Sequence, residues 1–274
     1  MMRGVSAWAV AMRRDDGEID VESFPLTSFA RRHRWAQLPV VRGVAALAES
    51  LALGFRALRI SLDKAQPADP VPRSMWAAAV AGGLALATGL FFVVPVALTS
   101  LLALESATLF WLVEGALRTT IFIAYLALLA RMPDLRRLFE YHGAEHKVIS
   151  CYEAGEPPTP AAAQRFPRLH PRCGTTFLLV VMVVAILVFA PLGLLPWPLL
   201  IASRVVGIPL IAGIAFEVIK WAGRNRGRRS VRLVMWPGMQ LQRLTTREPD
   251  LAQLAVAVTA LEAAEGLVGL EVAA

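Results

Sequence analysis

Two histidines one helical turn apart, with a glutamate beside the second, stand in the stretch Tyr141-His142-Gly143-Ala144-Glu145-His146. The chain has four histidines and two cysteines in 274 residues. Three of the histidines (His142, His146, His170) and both cysteines (Cys151, Cys173) fall between positions 142 and 173. On a helix His142 and His146 share a face, so both imidazoles reach one ion. Glu145 lies near the edge of that face, where a carboxylate acts as general base in hydrolysis or orients an imidazole. The order His-x-x-Glu-His is that of the inverted zincins, a short pattern that also arises by chance. A second pair, His170 and Cys173, is three residues apart in Leu-His-Pro-Arg-Cys-Gly. The four donors His142, His146, His170 and Cys173 suit tetrahedral zinc, the expected cofactor. Four protein ligands close such a site and three leave it open for catalysis; the spacing allows both. Cys151, Glu153 and Arg172 stand where they support ligands from behind, although Cys151 also reads as a packed small residue. The plain alternative is that these histidines are polar residues at a membrane border.

The rest of the sequence points to a membrane. It is 56% hydrophobic and 18% charged, against about 25% charged in soluble domains, and its mean hydropathy is +0.54. The net charge of +7 comes from basic blocks beside apolar runs, as on the inner flank of a bilayer. With no basic and aromatic binding motif, nucleic acid is excluded as a partner. Two cysteines make no disulfide framework. The apolar run Val5–Met12 is too short for a secretory signal and lacks a cleavage site, so a first span does the targeting.

Organisation follows from pattern. Residues 1–39 hold a cytoplasmic hairpin and a basic connector, the strands lying within 5–24 around a turn at Asp15-Asp16-Gly17. Residues 40–74 are an amphipathic helix (40–62) and a proline-rich linker. Residues 75–130 are a first pair of spans, 75–103 and 108–130. The ligand segment occupies 131–175, and a second pair of spans, 176–197 and 198–223, fills 176–223. Residues 224–274 are a basic tail with a turn at Trp236-Pro237-Gly238 and a final helix over 249–265. The fold class is an all-α polytopic membrane protein of about four transmembrane helices with a short N-terminal β-hairpin. Connectors 104–107 and 191–197 carry no Lys or Arg, whereas 131–175 and both termini are basic. The positive-inside rule therefore puts the ligand segment and both termini in the cytoplasm, a reducing compartment that favours free thiols.

Charges inside the spans form a separate signal. Glu114 and Arg118 lie in the second span, Arg204 and Glu217 in the last. Such groups cost several kcal/mol unless paired. They are expected either as an ion pair between spans, Glu114 with Arg204, or as a transport pathway.

Several stretches carry a resemblance: Val113–Leu128, Tyr141–Glu156, His170–Val181, Phe216–Arg224 and Pro237–Asp250. On these the chain resembles the YqhQ-like family of bacterial membrane proteins (domain of unknown function 1385), often described as predicted metal-dependent enzymes. The resemblance implies a site on His142, Glu145 and His146, on Cys151 to Glu153, and on His170 to Gly174, in a bacterial cytoplasmic membrane. Family members usually carry a glycine-rich stretch with a glutamate before Met-Met-Arg-Gly; here those four residues are Met1 to Gly4.

Three functions remain open. The first is a metal-dependent hydrolase, a peptidase by its motif order, with Glu145 as base. The second is a scaffold or assembly factor for other membrane proteins, holding a structural zinc site. The third is a transporter using Glu114, Arg118, Arg204 and Glu217.

Overall fold

The structure is a computed structural model that describes residues 1–266 apart from 15, 28, 30–32, 66–70, 193, 194 and 226. Of residues 197, 200, 201, 204 and 205 it describes the backbone alone. The expected turn residue Asp15 and the side chain of Arg204 thus lie outside the described residues.

Alternation of apolar and polar residues gives the predicted hairpin, with one strand more. β1 (Met2–Arg3), β2 (Ala7–Arg13) and β3 (Ile19–Pro25) form an antiparallel sheet in that order. Gly17 takes φ 89° in the β2–β3 loop, which suits glycine best. Trp8 and Val10 point to one face, Ala9 and Ala11 to the other.

α1 (Val41–Ala65) covers the Trp8 face with Ala57, Leu53 and Ile60. Its start is clamped to the last span: Arg42 pairs with Glu217, and a Cβ on Gly213 would come within 2.4 Å of Val40. Phe55, further along, meets Trp76 edge-on at 6.4 Å. Glu217 lies near the end of one span helix and Trp76 near the start of another, so α1 reaches from one to the other.

Among the described residues four helices are long and apolar enough to cross a membrane: α2 (Arg73–Ser100), α3 (Ala107–Leu129), α6 (Gly174–Phe189, prolonged to Leu192) and the Val206–Arg224 part of α7 (Trp197–Arg224). A π-helical turn at Gly89–Val93 interrupts α2. Trp111, Val184, Phe189 and Ile211 form the core between α3, α6 and α7. Gly115 leaves room for Ile186, which a Cβ there would meet at 2.3 Å.

The polar part contains α4 (Pro133–Glu153), α5 (Pro160–Gln164), α8 (Arg229–Thr245) and α9 (Leu251–Glu265). A capping box between Asp250 and Gln253 starts α9. This helix is apolar nearly all round and therefore buried: Leu254, Ala257 and Leu261 pack among Ala9 of the sheet and Ala144, Val148 and Cys151 of α4.

The expected turn at Trp236-Pro237-Gly238 is instead helical, inside α8. The glycine serves helix contact, not a turn. A Cβ on Gly238 would meet Thr176 of α6 at 2.6 Å, so α8 crosses the head of α6 at close range.

The described intramembrane charges have partners, while the expected Glu114–Arg204 pair lies outside the described residues. Glu114 pairs with Arg118 one turn along its own helix, and both are buried. The guanidinium of Arg118 also lies 5.4 Å from the Phe92 ring at the π-turn. Glu217 pairs with Arg42 of α1. Among the described residues these charges form two local pairs and no continuous line across the helices.

Candidate metal centre

α4 sets the first two donors. It restarts at Pro133 after the short break that follows α3, and its 3.6-residue period puts His142 above His146, with ring centroids 4.4 Å apart. The helix lies tightly on the segment after α8. Arg247 N–H donates to the Phe139 carbonyl at 2.8 Å, and a Cβ on Gly143 would stand 2.0 Å from the Arg247 carbonyl oxygen. The lone glycine of the ligand helix is thus a contact point.

Both imidazoles are oriented by backbone carbonyls. His142 Nδ1 lies 2.8 Å from the Thr245 oxygen, and His146 Nδ1 lies 2.6 Å from the Arg168 oxygen. A carbonyl only accepts, so each Nδ1 carries a proton; His142 Nε2 donates to the Cys173 thiolate when the ring is charged, and each Nε2 offers its lone pair when the ring is neutral. This is the outer support that histidine ligands characteristically have.

The third donor arrives from the other side. Cys173 caps the N-terminus of α6, where the helix dipole favours a thiolate. Its Sγ lies 3.4 Å from His142 Nε2 and 3.0 Å from Thr175 Oγ1. Burial raises the thiol pKa, but hydrogen bonds and charge interactions with His142 and His146 outweigh this and hold it at about 5. His142 is raised: burial opposes its charge, but Cys173, the Thr245 carbonyl and Glu145 together outweigh it.

The donor atoms of His142, His146 and Cys173 all lie within 4.8 Å of one another. Zinc bonds of the usual length at a tetrahedral angle put sulfur and nitrogen about 3.6 Å apart, close to the observed Cys173–His142 edge. Two neutral imidazoles and one thiolate are a borderline-soft donor set, and these residues fit a zinc ion.

His170 stands beside this group, its ring 5.8 Å from that of His146. Its Nδ1 accepts from Arg172 N–H at 3.3 Å, and its Nε2 faces Glu153 Oε2 at 3.5 Å. In this conformer its nitrogens face protein partners, while Arg172 forms an ion pair with Glu153. Cys151 is not brought to the site. It packs in the α4–α9 core, with Sγ near the carbonyls of Glu156 and Pro157, and burial raises its pKa.

Glu145 and His142 both line a cleft of about 1360 Å³ between β2, the second half of α1, α4 and α9. Glu145 Oε1 accepts from the Met1 amino group at 2.7 Å.

One residue missed by spacing organises the centre. Gln242 of α8 is wholly buried. Its Oε1 accepts from His170 N–H at 2.9 Å, and its Nε2 donates to the His170 carbonyl at 2.8 Å and to Thr176 Oγ1 at 2.7 Å. It lies in the stretch Pro237–Asp250, so resemblance marked the region without giving the role.

The family described as "Protein of unknown function (DUF1385)" matches residues 38–266. The chain belongs to this family. It is 32% identical over 277 residues to the uncharacterized protein YqhQ of Bacillus subtilis (strain 168), covering 94% of this chain and 86% of that protein. No solved structure matches it. In this DUF1385 member the matched region includes all three clustered donors, Glu145 and Gln242.

Proposed function

We propose that this protein is a metal-dependent hydrolase at the cytoplasmic face of the bacterial membrane, with a peptide bond as the first candidate substrate. His142, His146 and Cys173 would hold a zinc ion, which when bound supplies Lewis acidity. The observation that carries this reading is that His142, one of the three clustered donors, lines the same large cleft as Glu145. A closed structural site needs no such access. Glu145 takes a proton from the attacking water and passes it to the leaving group. The thiolate and the two carbonyl-oriented imidazoles fix the donor directions. The basic connector and tail support cytoplasmic placement through the positive-inside rule.

Elemental analysis of purified protein tests the reading, together with hydrolysis of a fluorogenic casein. The expected result is about one zinc per chain, lost in His146→Ala and retained in Glu145→Gln, with casein hydrolysis abolished in both. Metal-free, folded wild type after zinc supplementation would overturn it.

One observation favours a second reading. His170 lies next to His146, and a change of its side-chain torsions would supply a fourth ligand to a structural site in an assembly factor. X-ray absorption at the zinc edge separates the two: one sulfur and three nitrogens for the closed site, one sulfur and two nitrogens plus a light solvent atom for the open one.

A further inference from the structure

Three span ends share one partner, α8. Leu241 packs with Phe122 and Leu126 in the last turns of α3, and Gly238 sits on Thr176 in the first turn of α6. Val231 and Met235 pack with Ala222 in the last turn of α7. Leu126, Thr176 and Ala222 each lie within one turn of their helix's end, about 5 Å or less along the axis. α8 therefore lies across the level at which the apolar spans give way to the polar part.

The helix has three sectors. Val231, Met235, Gly238, Leu241, Gln242 and Thr245 form the buried one. At about 100° per residue, Leu233, Val234 and Pro237 fall together on a second, and Arg229, Arg232 and Arg243 on a third, with Trp236 among them. All seven are exposed, Leu233 by 75%, Val234 by 65% and Trp236 by 59%. A helix that lies in a bilayer border divides its surface this way, apolar residues toward acyl chains and basic ones toward headgroups. Tryptophan at headgroup level belongs to the same pattern. The charge is one-sided: from Arg224 to Thr245 the chain carries six arginines and no acidic residue. A zwitterionic surface leaves that charge unmatched, whereas acidic headgroups match it. A second copy meeting this face across a two-fold axis would set arginine against arginine.

We infer that α8 is an in-plane helix that binds acidic phospholipid, with Leu233, Val234 and Pro237 among the acyl chains and Arg229, Arg232 and Arg243 on the phosphates. This surface depends on the spans and not on the metal or the hydrolase reading above.

The test uses the full chain in phosphatidylcholine nanodiscs that carry a small share of lipid brominated near the headgroup end of its acyl chains. Bromine quenches tryptophan on contact, and Trp236 emission is read as the difference between wild type and Trp236→Phe. Brominated phosphatidylcholine should quench it. Brominated phosphatidylglycerol at the same share should quench it more, with a relative affinity of about fivefold or more, the factor that one basic residue at an acidic surface supplies. Arg232→Gln combined with Arg243→Gln should bring that ratio to within about twofold of one. The same variant should keep its melting temperature and its quenching by brominated phosphatidylcholine. High salt should lower the ratio in wild type. An unquenched Trp236 would overturn the inference, and two chains per nanodisc by mass photometry would then assign the face to a second copy. Equal quenching by the two lipids would overturn it as recognition of acidic lipid, as would a ratio unmoved in the arginine variant. A metal-free wild type that keeps the ratio would uphold this surface while the hydrolase reading fails.

Discussion

Gln242 holds both backbone polar groups of His170, 72 residues earlier in the chain, as one strand would hold another. The pairing fixes the approach to Cys173 against α8. Gln242→Leu keeps comparable bulk and removes, in a buried place, the acceptor for the His170 N–H and the donor to Thr176 Oγ1, while the His170 carbonyl keeps the Cys173 N–H. Each such loss costs about 1–3 kcal/mol. The variant should melt lower and bind zinc at least about tenfold more weakly by competition with a chromophoric chelator. Gln242→Glu, which retains an acceptor for the His170 N–H, should recover part of the loss.

The thiol of Cys173 is expected to titrate at about 5 in metal-free protein. Its alkylation by iodoacetamide should be nearly constant from neutral pH upwards and fall as pH drops through about 5. Cys151, raised by burial, should stay unreactive at neutral pH. Because folding depresses the Cys173 value from 9.0, its contribution to stability is complete above about 9 and is lost as pH falls through about 5. His142, raised on folding, contributes in the opposite sense: its share is present below the ordinary imidazole range and is lost as pH rises through its folded value. Mass spectrometry of alkylated peptides over a pH series checks the thiol, and added zinc should protect it.

Gly143→Ala reverses a familiar sign. Alanine inside a helix is ordinarily better than glycine by about 1 kcal/mol. Here the new Cβ would fall 2.0 Å from the Arg247 carbonyl, a backbone atom that cannot rotate away. Destabilisation of about 1–3 kcal/mol is expected from the overpacking, read as a lower melting temperature together with reduced zinc content.

Glu114 and Arg118 should behave as one unit. Glu114→Leu alone leaves a buried guanidinium without its partner and should cost about 3–5 kcal/mol, whereas Glu114→Leu with Arg118→Met should cost much less. Denaturation of the reconstituted protein measures both. If the double variant folds normally and retains casein hydrolysis, the pair is structural. If hydrolysis is lost while fold and zinc content persist, the pair serves the reaction.

Much of this architecture is written in local pattern. Apolar runs long enough for a bilayer, the alternating residues of β2 and β3, and the one-turn spacing of His142 and His146 each follow from a short-range period. What escaped depends on distant partners. Trp236-Pro237-Gly238 has the composition of a turn, yet Thr176 requires a glycine on a helix at that place. Glu114 has its partner one turn away in Arg118, which i, i+4 spacing allows but hydropathy alone does not single out. His142 and His146 are oriented by the carbonyls of Thr245 and Arg168, and a carbonyl leaves no trace in residue identity. Gln242 has a side chain to be noticed, but no spacing relates it to His170.

The position of Cys173 has a practical consequence. The residue that supplies the sulfur is also the cap of a spanning helix, and Gln242 beside it sits on a helix seated against the head of that same span. His142 and His146 follow the preceding span after a break of only a few residues. Any cut that frees the polar part from the bilayer therefore removes a donor or unseats its support. The centre has no water-soluble version: a truncated, readily crystallised fragment would be a different object, and a negative metal assay on it would say nothing about the intact chain.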